Sequence, residues 1–245
     1  MPELPEVETI RRQLVQKLIG KKLNGKKIVG VKRRAKILII EFADKTALIF
    51  HLKLTGQLIF NGTPGEYTRR IFNFNDGNRL VFNDARKFGW SKMVKEQGLK
   101  DIEKKLGPEP FDIAEEQFVL MLAKRPQTKI KPLLMDQKFI AGIGNIYADE
   151  ILFASGIHPL RQVKTLDKKE IHLLFANIKK ILKAAVQSGG SSVRSYLDAL
   201  GQKGGFAKYH KVYQKTGQKC AKCGSIIQRI RLGGRSAHFC PKCQK

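Results

Sequence analysis

The four cysteines of the chain lie within its last 26 residues, in two closely spaced pairs. The order is Cys220-x2-Cys223, sixteen further residues, and then Cys240-x2-Cys243. Each pair can place two thiolates on one ion, and a hairpin between the pairs completes the tetrahedral set of a structural Zn²⁺ site. Two disulfides are the alternative, which a cytosolic chain disfavours. We therefore predict one structural Zn²⁺, whose binding supplies the folding free energy of this small module.

The N-terminal stretch Met1–Thr9 places a proline directly before a carboxylate. From the residues alone, an ordinary helix cap is the simpler interpretation. A chemical interpretation begins with removal of Met1, which a small second residue such as Pro2 permits. The freed amine is a better nucleophile at neutral pH than lysine, and its attack on an aldehyde-level carbon gives a cationic iminium. Glu3 would then lie within reach of that carbon as a general acid or base.

The charge of the chain indicates a polyanionic partner. Among 245 residues, 47 Lys and Arg face 21 Asp and Glu, which gives a formal net charge of +26. Nucleic acid is the first partner that such an excess predicts, and an anionic membrane surface is the second. Residues 201–245 contain eleven Lys and Arg and no acidic residue. A solvated face is the usual explanation of a charge run, but one of this length favours contact with nucleic acid.

Length and composition are those of a globular protein outside the membrane. The hydrophobic fraction is 42%, which excludes a wholly disordered chain. No apolar run reaches the roughly 18 residues of a membrane span. A signal peptide begins with a basic region that is followed by an apolar region, whereas the first residues of this chain are rich in acidic side chains. We therefore expect a cytosolic protein with no membrane partner.

The first half of the chain shows two hydrophobic periods. Apolar residues three and four positions apart predict a helix that begins near Leu4 and ends at Gly20, with Pro5 in its first turn. From Lys26 to about Lys95 the period becomes two, which is typical of antiparallel strands in a sandwich or barrel. The clearest predicted strands are Ile37–Phe42, Ala47–Phe50, Gln57–Phe60, Arg70–Phe74 and Arg79–Phe82.

Helical patterns replace the strands after the predicted linker Gly107–Pro110. Ser191 and Ser192, which follow two glycines, read as the N-cap of the last predicted helix. Residues 201–211 are rich in Gly and Lys and predict a loop. The predicted helices lie near residues 115–124, 130–136, 145–155, 167–187 and 192–199.

Several motifs in order make the chain similar to one known family over essentially its whole length. It resembles the bacterial formamidopyrimidine-DNA glycosylases in the zinc module and in Met1–Thr9, Arg33–Lys36, His51–Gly56, Asp84–Gly89, Leu106–Pro110, Ile130–Pro132 and Ile140–Glu150. The resemblance implies an α+β multidomain protein with an N-terminal β-sandwich and flanking helices, a helix–two-turn–helix domain and a C-terminal zinc finger. We place these domains at residues 1–112, 113–210 and 211–245.

The activity that the resemblance implies is excision of oxidised purines, such as 8-oxoguanine and formamidopyrimidines, followed by strand cleavage through β- and δ-elimination. The expected partner is double-stranded DNA with oxidised bases or abasic sites, bound by a monomer. By resemblance Lys36 lies near the sugar, and Arg235 assists the second elimination. The alternative for Lys36 is a solvated strand residue.

A base inside a duplex is reached only after its nucleotide is flipped out, so side chains must fill the gap. By resemblance Leu54, Arg86 and Phe88 do so, although core packing is the ordinary explanation for the two apolar side chains. Leu54 stands where the family usually has methionine. Tyr67 lies roughly where a DNA-contacting histidine is common.

The predicted phosphate contacts lie in the second half of the chain. Gly144 lets the backbone approach a phosphate, and Asn145 begins a helix whose free N–H groups attract anions. By resemblance Asn145, Arg125 and Arg235 hold phosphates around the flipped nucleotide, with Lys129 as the alternative to Arg125. The loop at 201–209 corresponds to the one that covers an extruded purine.

Two other functions compete with this interpretation. One is an endonuclease VIII-like glycosylase for oxidised pyrimidines, which the N-terminal sequence and the loop at 201–209 disfavour. The other is a non-catalytic protein that binds damaged DNA. The presence of Pro2, Glu3 and Lys36 disfavours it, because binding alone needs no free N-terminal amine.

Overall fold

A computed structural model describes all residues from 1 to 245. The chain forms two compact units, of which the first contains residues 1–105 and 185–208 and the second contains residues 106–184 and 209–245. The predicted α+β class is confirmed, since the first unit is built mainly on sheets and the second mainly on helices. The three predicted domain ranges stay predictions. None of the helices has the length and apolar character that crossing a membrane requires.

Two antiparallel sheets form the centre of the first unit. One has the strand order β1-β2-β3-β4-β8, and the other has the order β5-β7-β6. Aromatic and aliphatic side chains such as Phe50, Phe82 and Leu58 form a common core between the sheets. The strands are β1 (Lys22–Leu23), β2 (Lys26–Arg34), β3 (Ile37–Phe42), β4 (Thr46–His51), β5 (Gln57–Phe60), β6 (Thr68–Asn73), β7 (Arg79–Asn83) and β8 (Trp90–Lys95).

Two helices flank the sheets of the first unit. Helix α1 (Leu4–Leu18) was predicted, and its apolar stripe of Val7, Ile10 and Leu14 is fully buried against β2 and β3. Helix α2 (Glu96–Glu103) lies on β4 and β8 and was not predicted. It has only eight residues and none of them is buried, so its apolar pattern is too short to predict a helix from the sequence.

The second unit contains the remaining four helices and a β-hairpin. Helix α4 packs on α5, and α5 packs on the second strand of the hairpin. The hairpin therefore lies beside α5. The elements are α3 (Glu115–Ala123), α4 (Ile130–Met135), α5 (Asn145–Ala154), α6 (Lys168–Gln187), β9 (Gln228–Leu232) and β10 (Arg235–Phe239). The last three residues of α6 belong to the first unit.

The predicted helix at residues 192–199 is wrong, because this segment has no helix. The N–H of Ser191 donates to the Glu6 carboxylate, and the Ser192 hydroxyl accepts from Gly204 N at 2.8 Å. The serines that resembled an N-cap therefore fasten a loop instead. Within the loop predicted at 201–211, residues Phe206–Tyr209 form a short 3-10 turn.

Candidate active site and nucleic-acid interface

The N-terminal residues are buried at the start of α1. Glu3 is 1% exposed and occupies the N-cap position, and Pro2 is buried beside it. Glu3 and Glu6 form a reciprocal capping box, in which Glu3 N donates to Glu6 Oε2 at 2.7 Å. A capping box satisfies N–H groups that the first turn of a helix leaves unpaired. The helix cap is therefore present, and it fixes a carboxylate directly beside Pro2.

Glu6 also fastens a distant segment to the N-terminal helix. Its Oε1 accepts the N–H of Ser191 at 2.8 Å, and the Tyr196 hydroxyl donates to its backbone carbonyl at 3.3 Å. A Cβ added to Gly190 would lie 2.9 Å from the Glu6 side chain, so only glycine permits this approach. The segment that begins at Gly190 is thus held against the residues beside Pro2.

Charged groups act on the terminal amine, which in this chain belongs to Met1. Burial lowers the pKa of the amine below its ordinary value, the Glu3 and Glu6 carboxylates raise it, and Lys36 and Arg194 lower it further. The net direction is downward. A lower pKa leaves more of an amine unprotonated at neutral pH, which is the form that attacks an electrophile.

Lys36 lies in the tight turn between β2 and β3. The turn depends on Ala35, whose φ is +54°, and it joins the paired residues Arg34 and Ile37. Lys36 is only 6% exposed, so the interpretation as a solvated strand residue is wrong. An ammonium group is rarely buried without polar or anionic partners. The sequence had already disfavoured that interpretation, because Lys36 follows Arg33 and Arg34.

Two turns of the first unit hold the side chains that were predicted to fill a gap in DNA. Leu54 is half-buried in the turn at residues 51–56, whereas Phe88 is 53% exposed in the turn at residues 84–89. The Arg86 guanidinium carbon lies 5.0 Å from the centre of the Phe88 ring, within range of a cation–π contact. Core packing therefore does not explain Phe88, because a core aromatic is almost wholly removed from solvent.

Tyr67 lies directly before β6 and is 51% exposed. Its carbonyl accepts the N–H of Asp84 at 2.8 Å. The segment that contains Tyr67 is thus attached to the start of the turn that contains Arg86 and Phe88. Three of the four predicted DNA-contacting residues of this unit thus lie in the two turns, and the fourth, Tyr67, is hydrogen-bonded to one of them.

In the second unit, Asn145 is the first residue of α5 and Gly144 is the N-cap. The Asn145 side chain is partly exposed, but its Oδ1 is buried and accepts no hydrogen bond. A buried acceptor needs a hydrogen-bond donor, a role that an ordered water can fill, whereas the N–H groups at the helix start are the groups that attract an anion. Arg125 and Lys129 are both exposed in the connection between α3 and α4, so exposure does not distinguish these two candidates.

The four cysteine sulfurs lie within 4.8 Å of one another and form no disulfide. The Sγ atoms of Cys220 and Cys243 are 3.9 Å apart, and those of Cys223 and Cys240 are 3.4 Å apart. A tetrahedral Zn²⁺ with bonds of about 2.3 Å holds its sulfurs ~3.8 Å apart. The donor set therefore fits zinc, and the disulfide alternative is wrong for this structure.

Strands β9 and β10 form the hairpin between the cysteine pairs. Gly233 and Gly234 make its turn with φ values of +55° and +74°, and Arg235 pairs with Leu232. Arg235 is exposed, as are Arg229 and Arg231 on the facing strand. The predicted basic hairpin thus presents its arginines to solvent.

A buried network of charged side chains lies under β10. Lys131 on α4 and Asp149 on α5 form an ion pair, with 2.7 Å between Lys131 Nζ and Asp149 Oδ1. The pair does not have the angles of a hydrogen bond. Both residues are at most 2% exposed. Asp149 Oδ2 also contacts His238 Nδ1 at 2.7 Å and accepts the His238 N–H. Lys131 donates to the carbonyl of Ser236 at 2.6 Å. His238 is therefore hydrogen-bonded to Asp149 and does not belong to the cysteine cluster.

Sequence reasoning missed the residues that hold the site together. Glu6 follows Glu3 at the spacing of a capping box, which was a usable signal. Lys131 and Asp149 each interrupt an apolar helical run, which marks a charge that must be paired if it is buried. Arg194 fell within a wrongly predicted helix, and nothing in its neighbourhood in the sequence indicated a role.

Comparisons with known proteins agree with this geometry. Residues 19–91 match the family described as the formamidopyrimidine-DNA glycosylase N-terminal domain. Residues 106–196 match the formamidopyrimidine-DNA glycosylase H2TH domain. Residues 217–245 match a zinc finger found in FPG and IleRS.

The formamidopyrimidine-DNA glycosylase of Lactococcus lactis subsp. cremoris is 42% identical over 275 aligned positions, which cover all of both chains. This chain has 245 residues, so the relative contains residues that this chain lacks. The complex of Lactococcus lactis Fpg with DNA containing an abasic site is 38% identical, with a TM-score of 0.91 and 99% of each chain covered. A MutM complex with DNA containing carbocyclic 8-oxo-G is 37% identical, with a TM-score of 0.91 and both chains fully covered.

Proposed function

This chain belongs to the formamidopyrimidine-DNA glycosylase family, and we propose that it excises oxidised purines from DNA and then cleaves the strand at the abasic site. The relatives are glycosylases by name, and solved relatives hold DNA with an abasic site or an 8-oxo-G analogue. These substrates favour purine lesions over the endonuclease VIII-like alternative. A non-catalytic role is disfavoured, because the N-terminus has the arrangement that a covalent reaction needs.

The observation that carries the proposal is the burial of Glu3 beside Pro2, with the charge of Lys36 acting on the terminal amine. A buried carboxylate at a helix N-cap has a fixed position, which general acid–base chemistry requires. Removal of Met1 would transfer the amine to Pro2 in the same surroundings. We expect burial and the positive charge of Lys36 to keep part of that amine unprotonated.

The reaction follows from a secondary amine at this position. The Pro2 lone pair forms a bond to C1′ of the flipped nucleotide, and the bond from C1′ to the base breaks as the base takes a proton. The sugar ring then opens, O4′ gains a proton as the Pro2 nitrogen loses its own, and an iminium joins Pro2 to C1′. Loss of a C2′ proton expels the 3′ phosphate, and loss of a C4′ proton expels the 5′ phosphate. Water then hydrolyses the iminium and releases Pro2. Glu3 supplies and accepts the protons near C1′, and Lys36 orients the sugar.

The remaining predicted residues act on the DNA rather than on C1′. In the first unit, Leu54, Arg86 and Phe88 fill the gap that the flipped nucleotide leaves, and Tyr67 contacts the duplex beside them. Flipping costs a few kcal/mol, which inserted side chains offset. The exposure of Arg86 and Phe88 on a turn supports this role.

In the second unit, Asn145, Arg235 and Arg125 or Lys129 hold phosphates. The position of Asn145 at the N-terminus of α5 and the exposed arginines of the hairpin support this assignment. Arg235 also assists the second elimination. Cys220, Cys223, Cys240 and Cys243 would hold one Zn²⁺, whose binding would stabilise the hairpin. The protein acts as a monomer on chromosomal DNA, which lies in the cytosol of a bacterium.

The proposal is tested by borohydride reduction of the iminium on DNA that contains 8-oxoguanine. We expect a covalent complex with the chain that lacks Met1. Pro2→Gly and a form that retains Met1 should greatly reduce that complex. Pro5→Ala is the matched control, since it removes a proline from the same helix end and leaves the amine in place. Undiminished complexes with both altered N-termini would assign the covalent bond to a lysine and exclude Pro2.

A further inference from the structure

A fully buried carboxylate joins the two turns that hold Leu54, Arg86 and Phe88. Asp84 is 0% exposed. Its Oδ1 accepts a hydrogen bond from the Thr55 hydroxyl in the first turn and from Arg86 N at 3.2 Å in the second. Its Oδ2 accepts the N–H of Gly89 at 2.6 Å. One side chain thus contacts the turn at 51–56 and both ends of the turn at 84–89.

The Thr55 hydroxyl of the first turn adds a second hydrogen bond to the other turn. It donates to Asp84 and accepts from Arg86 N at 3.1 Å. The backbone of Asp84 adds a third segment, because its N–H donates to the Tyr67 carbonyl and its carbonyl accepts from Arg69 Nε, both at 2.8 Å. Every segment that holds a predicted DNA contact of this unit is therefore bonded to Asp84.

The second turn is shaped for these contacts. A Cβ at Gly89 would lie 3.0 Å from Asp84 Oδ2 and 2.9 Å from the Phe82 ring. Glycine is therefore needed for the N–H to reach the carboxylate. Lys87, between Arg86 and Phe88, has a φ of +60°, a conformation that costs free energy outside glycine and persists only where surrounding contacts impose it.

We propose that Asp84 is a positioning residue that holds the two turns as one rigid body before DNA is bound. Hydrogen bonds from N–H and O–H groups to a buried carboxylate are among the stronger ones. A rigid pair of turns inserts its side chains without a further ordering cost, which leaves more binding free energy to offset unstacking. This inference rests on the proposed function, because it takes Leu54, Arg86 and Phe88 to be the gap-filling residues.

The central test replaces Asp84 by asparagine, which keeps the size of the side chain. The new amide presents its own N–H groups to donors, so at least one contact is lost. Asp76→Asn is the matched control. It removes the same charge from a partly exposed turn of the same unit, where Asp76 contacts Asn78 and Lys21. Any gain in DNA attraction from the lost negative charge is then common to both variants.

The readout is the single-turnover excision rate for 8-oxoguanine in two settings, a paired duplex and an unpaired bubble. Unstacking costs least where the base is already unpaired. Asp84→Asn should slow excision from the paired duplex about tenfold or more, the effect of losing one hydrogen bond to a charged group. The rate in the bubble should stay near that of the Asp76→Asn control. Equal losses in both settings, or no loss in either, would overturn the inference.

Thr55→Val decides the question if Asp84→Asn does not fold, as judged by circular dichroism. This variant keeps the carboxylate and removes only the hydroxyl that both turns share. The same selective slowing on paired duplex is expected, and an unchanged ratio of paired to bubble rates would overturn the inference.

Arg86→Ala and Phe88→Ala separate this inference from the proposed function. If both variants excise the paired lesion at the full rate, the gap-filling assignment itself is wrong. If both lose that rate while Asp84→Asn and Thr55→Val keep it, the gap-filling assignment stands and only the positioning role of Asp84 is wrong.

Discussion

The two units hold their candidate functional groups by different means. In the first unit, buried carboxylates accept backbone N–H groups, as Glu6 does from Ser191 and Asp84 does from Gly89. These bonds lie beside a large core between two sheets. In the second unit, two of the cysteines belong to a small apolar cluster around Val212 and Ile227, which precede the basic hairpin. We expect the cysteine module to need the metal, since so small a cluster cannot offset the entropy of ordering it.

The second unit also uses carboxylates, which belong to two neighbouring residues of α5. Glu150 accepts the N–H groups of Lys211, Val212 and Tyr213, and burial nevertheless raises its pKa. Asp149 binds His238 in the hairpin itself. In the first unit the fold alone sets the positions of the functional groups, whereas in the second unit the fold and a bound Zn²⁺ would set them together. Loss of a zinc ligand should therefore impair DNA binding, whereas loss of a catalytic carboxylate in the first unit should impair base excision.

The largest effect is expected from removal of a zinc ligand. Cys240→Ser should release the ion and disorder the hairpin, because metal binding supplies about 10–16 kcal/mol of apparent free energy in modules of this kind. Specific binding of lesion DNA should be abolished while the first unit stays folded. Zinc content, hydrogen exchange of both units and binding isotherms measure this. Gln228→Ala is the control, since Gln228 is exposed on β9 of the same module and is no ligand. Unchanged hairpin exchange after zinc loss would contradict the role given to the metal.

Glu3→Gln should give the opposite result, namely retained binding and lost chemistry. The amide is of similar size but cannot transfer a proton, so excision should fall by about 10²–10⁴-fold. Single-turnover excision and the dissociation constant for lesion DNA are measured in parallel, with Glu8→Gln as a control on the same helix. A matching loss of binding would show that Glu3 acts through the helix cap rather than through proton transfer.

Arg235→Ala tests the hairpin without removing its support. Arg235 is exposed at the start of β10, so fold and zinc content should persist. Loss of a charge-assisted phosphate contact costs about 1.5–3 kcal/mol, which weakens binding about ten- to a hundredfold. The log–log dependence of affinity on salt should flatten by about one unit.

The second elimination should suffer more than the first in Arg235→Ala, which leaves a sugar remnant on the cut strand. Arg231→Ala is the matched control on the facing strand of the hairpin. Equal effects of the two substitutions would show that Arg235 contributes only general positive charge.

Local patterns in the sequence predicted the parts of the molecule that depend on local contacts. The spacing of Leu4, Ile10 and Leu14 predicted α1, and the cysteine pairs predicted the thiolate cluster, because a helix stripe and a zinc knuckle are each set by neighbours in the chain. The segment after Gly190 was predicted wrongly. Its backbone bonds to Glu6, 185 residues away, and no local propensity reveals such a partner.

The positioning residues were hidden for the same reason. Asp84 was recognised only as part of a motif, because its bond to Thr55 spans 29 residues. Residue type predicts that a buried carboxylate will have partners, but not which ones. The chemical groups of the site could thus be predicted, whereas the contacts that hold them required the fold.

The smallest expected effect concerns acid and the turn that holds Leu54. His51 Nδ1 accepts the N–H of Lys53 at 3.0 Å, and Lys53 has a φ of +51°. Burial, with the charges of Lys53 and Lys36, lowers the pKa of His51 from 6.5 to about 4. The unfolded chain therefore binds more protons than the folded chain between these two pH values. The stability that His51 contributes is fully present above pH 6.5 and is lost as the pH falls towards 4.

Each pKa unit of separation corresponds to about 1.4 kcal/mol, so the first unit should lose a modest part of its free energy of unfolding between pH 7 and pH 4.5. His51→Asn should lose less over the same range, because an amide oxygen can accept the Lys53 N–H and does not titrate there. His172→Asn is the control, as His172 is largely exposed. Denaturant unfolding at several pH values measures the difference. If the free energy of unfolding depends on pH in the same way in the wild type and in His51→Asn, protonation of His51 does not affect the stability of the turn.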